Sequence, residues 1–260
     1  MEVVPDEDCT NTLKHYIAHH EVLTPEKTTT KLRIVFDASA KTRKKNQSLN
    51  ESLHRGPVIL EDLCGFLLTF RLHKVTLVAD VEKAFLQVGL QHDDRDVTRF
   101  LWFKDPSKPT IEKNVQVLRF TRVPFGMISS PFLLAATIKH HLTKAATPIA
   151  HQIVDNMYLD NMITGLETSC QADELYKEAK TLFQSASMNL REWVSNSSEL
   201  LKNIPECDRS SAETMKVLGN PWNSITDTIF LNGSHNLRSD HHCSLSADFM
   251  TRWVSFPQPH

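Results

Sequence analysis

Apolar and polar residues alternate along the chain with two different periods, and the changes of period mark out its elements. "KLRIVFDAS" (31–39) places Leu32, Ile34 and Phe36 on one face, which predicts a strand. "KVTLVADV" (74–81) is a short, nearly continuous β-branched run, the pattern of a buried strand. "RFLWF" (99–103) and "QVLRFTRVPF" (116–125) predict two more strands, with the proline-containing "KDPSKPT" as the turn between them. Helical spacing occurs in "EDLCGFLLTFRLH" (61–73), through Leu63, Phe66, Leu67 and Phe70. It recurs in "SSPFLLAATIKHHLTKA" (129–145), where Ser129 or Ser130 caps the helix and Pro131 stands in its first turn. A third helix is predicted in "SCQADELYKEAKTLFQSASM" (169–188), whose apolar stripe is Ala172, Leu175, Tyr176, Ala179, Leu182 and Phe183.

In "QIVDNMYLDNMIT" (152–164) two apolar runs meet at Asp160 and Asn161, which predicts a β-hairpin. "NQSLNESLHRGP" (46–57) reads as loop, and residues 1–30 as a polar, loosely ordered lead-in with "HHEVLTPEKTTT" extended. From about Asn232 the chain is rich in Ser, His, Asn and Pro without a sustained period, which predicts a frayed tail. No internal repeat is visible. Strand, helix, hairpin and helix in this order predict an α+β fold, an antiparallel sheet with helices on one face.

With 260 residues and 40% hydrophobic content, the chain can bury one large core or two small ones. A net charge of −2 argues for neither a nucleic-acid binder nor an acidic tail. Charge is concentrated locally: Lys31, Arg33, Lys41, Arg43, Lys44 and Lys45 face a single acid, Asp37. Such a run is either a solvated loop or a phosphate-contacting surface. The cysteines (Cys9, Cys64, Cys170, Cys207, Cys243) are odd in number and never paired as C-x-x-C, so a disulfide framework is not expected. The N-terminus "MEVVPDEDC" has no signal-peptide pattern, and apolar patches such as "CGFLLTF" are too short to span a bilayer. An intracellular chain is expected, cytoplasmic or else nuclear.

Two carboxylates then change the picture. Asp80 falls near the end of the buried strand and Asp160 at the hairpin apex. A carboxylate in apolar surroundings is costly unless it is paired or binds a metal. Two brought together by neighbouring strands make a hard oxygen site suited to Mg²⁺, with Mn²⁺ as a substitute. Capping or plain solvation are the other readings of each acid, and Asp160–Asn161 reads equally as an ordinary turn.

The order of segments resembles the reverse-transcriptase domain. "LVADVEKAFLQVGL" (77–90) is similar to that family's first catalytic motif, an acid followed five residues later by an aromatic. "VPFGMISSPFLLAATI" (123–138) resembles the second, and "YLDN" (158–161) the Tyr-x-Asp-Asp of the third. "KLRIVFDASAKT" (31–42) is similar to the fingers strand and "VLGNPW" (217–222) to the primer-grip hairpin. The wording of the fingers segment, with "SLNESLHRGP" after it, resembles the Bel/Pao type of LTR retrotransposon. The likeness runs from about His15 to Phe230.

What the resemblance implies is a right-hand polymerase fragment with its thumb largely missing. Fingers are expected over 31–73 and 100–128, palm over 74–99 and 129–230, and an unlike tail over 231–260. The implied activity is RNA- and DNA-directed DNA synthesis by two-metal nucleotidyl transfer, with deoxynucleoside triphosphates and a primed RNA or DNA template as partners. Asp80 and Asp160 would be catalytic metal ligands, Asn161 would hold the place of a third acid, and the Val81 carbonyl would add a ligand. Phe85 would lie under the incoming sugar, Lys31 and Arg33 would reach the triphosphate, and Phe125 and Gly126 would floor the pocket. Gly219, Asn220 and Trp222 would grip the primer.

Asn161 departs from the pattern, because an amide keeps the shape of a carboxylate and loses its charge. "MNLREWVSNS" offers Arg191 and Glu192 where a lysine is often found, and arginine is a poor proton donor. Impaired catalysis is therefore expected, with a catalytically dead nucleic-acid- or partner-binding module as the alternative. "DHHC" (240–243) spells the S-acyltransferase signature without that family's membrane and zinc domains, and a zinc site from His235, His241, His242 and Cys243 lacks a second half.

Overall fold

The computed structural model describes residues 1–5, 13–25, 31–59, 63–212 and 214–230. In chain order, β1 (Glu2–Val3), β2 (Ala18–Leu23) and β3 (Leu32–Asp37) precede the short helix α1 (Leu49–Ser52) and α2 (Leu63–Leu72). Then come β4 (Val75–Val81), β5 (Arg99–Phe103) and β6 (Val115–Arg119), followed by α3 (Ser130–Ala145) and α4 (Pro148–Asp155). The hairpin strands β7 (Met157–Tyr158) and β8 (Asn161–Leu166) lead to α5 (Ser169–Ser185), β9 (Leu190–Ser195) and α6 (Ser198–Asn203). A small meander of β10 (Thr214–Val217), β11 (Asn220–Asn223) and β12 (Thr228–Ile229) ends the described chain.

The central sheet has the order β7–β8–β4–β9 and is antiparallel throughout. β4 is covered on both faces, which is why its sequence is a continuous apolar run rather than an alternation. Leu77, Ala79 and Val81 pack with Leu134, Ile138 and Leu142 of α3, Ile153 of α4, and Leu175 and Phe183 of α5. Val78, Ile163 and Val194 point the other way, against Phe66 and Phe70 of α2 and Trp222 of β11. Each fully buried Val, Leu, Ile or Phe among them contributes roughly 1.5–3 kcal/mol. The α+β antiparallel plan is as expected; α3–α5 lie on one face, while α2 and the meander cover the other.

Two outer sheets carry the β1–β6–β5 and β2–β3 pairings. Phe36 of β3 joins them, its ring 4.9 Å from Phe100 and 4.8 Å from Phe120. Arg119 ties β1 to the same unit, 2.7 Å from Glu2 Oε1 and 2.5 Å from Asp96 Oδ1.

Several expectations are corrected. The apolar run 152–155 is helix, because Thr147 Oγ1 accepts the Ala150 N–H and Pro148 opens α4. The stretch 46–57 is not all loop: Ser48 and Glu51 form a reciprocal capping box around α1. The lead-in is also structured where described, since β1 pairs with β6 and β2 pairs with β3. Leu32 and Ile34 are exposed rather than core, Phe36 alone turning inward from that face. The tail after Phe230, with "DHHC" and the zinc candidates, lies outside the described residues.

Candidate functional site

β4 carries Asp80 one residue before its end, partly exposed in an otherwise buried strand. Asp160 sits in the two-residue turn between β7 and β8, closed by the Tyr158–Asn161 pair. Leu159 takes φ +56 to make that turn, an uncommon conformation for a branched side chain and a local strain at the apex. The Val81 N–H donates to the Asp160 carbonyl at 2.8 Å, and Asp80 pairs in register with Asn161. The fold thus brings Asp80, Asp160 and Asn161 to one sheet end.

The electrostatics of this corner are unfavourable to charge. Burial, then the neighbouring Asp160 and Glu192 carboxylates, push the Asp80 carboxyl up from 3.8 to about 6, against a lowering by Arg191. Burial also raises Asp160, while the Asn161 side-chain hydrogen bond lowers it. The Asn161 Nδ2 donates to Asp160 Oδ1 at 3.0 Å, so the amide turns its donor toward the carboxylate. Among the described residues no group of three or more His, Cys, Asp and Glu side chains converges as a metal-binding cluster.

A β-bulge decides what faces Asp80 from the other side. Continuing the register of Leu77–Ser195 and Val78–Val194 would set Asp80 opposite Glu192, two like charges. The register shifts after Val78, Glu192 taking φ +53, and Asp80 pairs with Arg191 instead. The Arg191 guanidinium lies 3.8 Å from Asp80, 3.5 Å from Glu82 and 3.8 Å from Glu192. Glu82 is itself held by the Asn189 amide at 3.1 Å.

Beyond β4 the chain turns through Lys83 at φ +49 into a 3₁₀ turn over Ala84–Gln87. This presents Phe85, whose ring meets Phe125 edge-on at 4.7 Å. Phe125 is 58% exposed. Gly126 has φ +90, and a Cβ there would lie 2.8 Å from the Phe36 carbonyl oxygen, so two features demand glycine. The loop is held by Ser130 Oγ, which donates to the Pro124 carbonyl, and by Asn50, bonded to Gly126 and Ile128. Asn50 and Ser130 escaped the sequence reading as site residues. Only the S-x-x-E capping box beside Asn50 could have drawn attention to it.

Lys31 and Arg33 stand exposed at the start of β3, and neither forms an ion pair with Asp80 or Asp160. Gly219 at φ +90 and Leu218 at φ +49 form the turn of the β10–β11 hairpin, closed by the Val217–Asn220 pair. Trp222 does not face solvent as a gripping residue would. It is fully buried, edge-on to Phe70 at 5.2 Å with its Nε1 donating to Asp227, and it anchors the hairpin. No helix among the described residues is long and apolar enough to cross a membrane.

Comparison with known proteins agrees with this geometry. The model of the family described as reverse transcriptase (RNA-dependent DNA polymerase) matches residues 24–195, well over half of the chain. The foamy viral protease-reverse transcriptase in complex with an RNA/DNA hybrid is similar at a TM-score of 0.53 and 16% identity, over 82% of this chain and 23% of that one. Its dRH form in complex with double-stranded DNA is similar at 0.56 and 16% identity, over 93% and 33%. The native prototype foamy virus enzyme gives 0.53 and 15%, over 82% and 23%. At such identities the likeness shows the fold, and this chain spans about a quarter to a third of those chains. A search of curated proteins finds no match. With a family match across the strands and turns that hold Asp80, Phe85, Phe125 and Asp160, the chain belongs to the reverse transcriptase family.

Proposed function

We propose that the chain is the fingers and palm of an RNA- and DNA-directed DNA polymerase of Bel/Pao retrotransposon type, impaired at its metal site by Asn161. The observation that carries this reading is the meeting of Asp80 and Asp160 at one sheet end, with the Asp80 carboxyl raised by burial and by its acidic neighbours. A half-buried pair of carboxylates that repel each other fits a hard divalent cation such as Mg²⁺ or Mn²⁺. Asp80 and Asp160 would hold it, with the Val81 carbonyl beside them. Such an ion, when bound, supplies charge neutralisation for the triphosphate and a lowered pKa for the primer 3′-hydroxyl.

The chain's own residues do the positioning, which is most of what phosphoryl transfer requires of a protein. Phe85, braced by Phe125, would select against a ribose 2′-hydroxyl. Gly126 lets the pocket floor approach the nucleotide closely. Lys31 and Arg33 supply exposed cations for the triphosphate, and Gly219 and Asn220 offer backbone to the primer. The exposed Lys41–Lys45 run would follow the template phosphates.

A second reading has a specific observation in its favour. The Asn161 amide donates to Asp160, and Arg191 stands against Asp80 and Glu82, so the acids are partly neutralised from within. That arrangement suits a module that binds primed template without catalysis. For a charge about 4 Å from a dication, at an effective dielectric of about 20, losing the third acid removes about 8 kcal/mol of gross attraction, an upper bound before solvation.

Single-nucleotide primer extension on an RNA template, with Asn161→Asp beside the unaltered chain in Mg²⁺ and in Mn²⁺, tests the proposal. Extension that rises sharply in Asn161→Asp supports an impaired polymerase. Equal extension rates sink the claim of impairment. Failure of both proteins to extend a primer they bind moves the binding-module reading to the front.

A further inference from the structure

Resting on the polymerase reading, we propose that Asn50 is a positioning residue for the nucleotide pocket, its amide splinting the Phe125–Gly126 segment to the end of β3. Nothing in the local sequence assigns it this part, since α1 is four residues long and Asn50 is remote from every acid of the site in sequence.

The geometry is specific to an amide. Asn50 Nδ2 donates to the Gly126 carbonyl at 2.9 Å, and Asn50 Oδ1 accepts the Ile128 N–H at 2.8 Å. One side chain therefore takes both hydrogen-bonding groups that a neighbouring strand would take from those two residues. Nδ2 also donates to Ser39 Oγ at 2.9 Å, and the Asn50 N–H donates to the Ala38 carbonyl at 3.0 Å. Both amide donors and an acceptor are engaged, which only Asn or Gln can match in kind and only Asn in reach. The residue joins three segments: α1, the turn after β3, and the loop before α3.

Its platform is built to hold still. Leu49 is buried with Ala38 and Met127, and Glu51 accepts the Ser48 N–H and an ion pair from Lys41 at 2.6 Å. The loop it holds turns Phe125 and Ile128 outward, 58% and 38% exposed, with Met127 buried between them. Apolar side chains displayed on a loop whose backbone is tied from behind are presented rather than packed. Phe125 is the ring that braces Phe85. Without the amide, the loop keeps Ser130 Oγ on Pro124 and loses its hold on Gly126 and Ile128. Phe125 then moves independently of Phe85 and of the β3 hairpin that carries Arg33.

The test needs no catalysis. A primer ending in a 2′,3′-dideoxynucleotide, annealed to an RNA template, is bound to the unaltered chain, Asn50→Ala and Asn50→Asp. The affinity of the next complementary deoxynucleotide, and of its ribonucleotide counterpart, is then measured in Mn²⁺. Asn50→Asp keeps an acceptor for Ile128 and loses the donors, so it serves where Asn50→Ala folds poorly. Expected are deoxynucleotide binding weaker on the order of tenfold, a narrowed preference for deoxy over ribo, and primer–template affinity unchanged within about twofold. Hydrogen exchange at the Ile128 amide should also accelerate in Asn50→Ala. Unchanged nucleotide affinity in both variants overturns the proposal, as does a loss shared equally by nucleotide and primer–template. An unaltered chain that binds primer–template yet no nucleotide sinks the polymerase reading itself, and this inference with it.

Discussion

Replacing Asp80 by Asn should stabilise the metal-free chain at neutral pH, although it removes the central acid of the site. The Asp80 carboxyl is raised from 3.8 to about 6, so between those pH values the folded state binds more protons than the unfolded one. Stability must then fall as pH rises through this window, by about 1.4 kcal/mol per pH unit. The effect, reduced by solvent screening of a partly exposed carboxyl, is at most about 3 kcal/mol, present against the fold above about pH 6 and absent below 3.8. Its causes are burial, with Asp160 and Glu192 adding repulsion, and Arg191 is too distant at 3.8 Å to cancel them. The uncharged amide of Asp80→Asn removes that penalty. For a domain of this size, about 3 kcal/mol corresponds to a rise in Tm of roughly 6–12 °C.

Thermal denaturation followed by circular dichroism in chelator, at about pH 4 and about pH 7.5, reads this directly. The advantage of Asp80→Asn should be present at the higher pH and vanish at the lower. Adding Mn²⁺ should raise the Tm of the unaltered chain more than that of the variant, because the variant keeps Asp160 and loses the second carboxylate that would hold the ion. A variant that is no more stable at the higher pH, or more stable by the same amount at both, refutes the reasoning about this corner.

Three further outcomes follow from contacts elsewhere. Gly126→Ala should lower the urea midpoint by a stability loss of about 1–3 kcal/mol, since alanine resists φ +90 and its Cβ would meet the Phe36 carbonyl. Lys180→Met should cost roughly 3 kcal/mol, because it removes the cation at 2.9 Å from Asp208 and leaves that carboxylate only the Tyr176 Oη at 2.8 Å. The double variant with Asp208→Leu should recover much of that loss in the same urea titration. Replacing Arg43, Lys44 and Lys45 together by Ala should flatten the salt dependence of primer–template binding by about two in the log–log slope. An unchanged slope would place the template elsewhere.

The sequence disclosed those parts of the fold whose signals are local. β5 begins and ends where "RFLWF" does, and the stripe from Ala172 to Phe183 is the buried face of α5. The apolar run at 74–81 announced a strand covered on both sides, though not that α2 would supply one cover. Errors arose where a capping signal was outweighed by an apolar run, as at Thr147–Pro148, or by polar composition, as at Ser48–Glu51. The pairing of β1 with β6 and of β2 with β3 joins segments through partners that no local pattern encodes. Asn50 was missed for the same reason, its partners at Gly126 and Ile128 lying 76 and 78 positions away.

At the acid pair the residues were legible and their relation was not. Asp80 and Asp160 stood out as carboxylates in apolar runs, and Asn161 as an amide where a third acid belongs. An unbroken register from Leu77–Ser195 and Val78–Val194 would set Glu192 opposite Asp80. The bulge at Glu192 substitutes Arg191 and reverses the sign of the opposing charge. A third acid facing Asp160 would stand in place of the amide's hydrogen bond and add to the repulsion that, after burial, raises Asp80 to about 6. Asn161 and Arg191 therefore act in the same direction: each lowers the negative charge of a corner built for a cation. Restoring the acid with Asn161→Asp should thus cost stability in chelator and regain it in Mn²⁺, and a site that no longer binds metal would show the cost without the recovery.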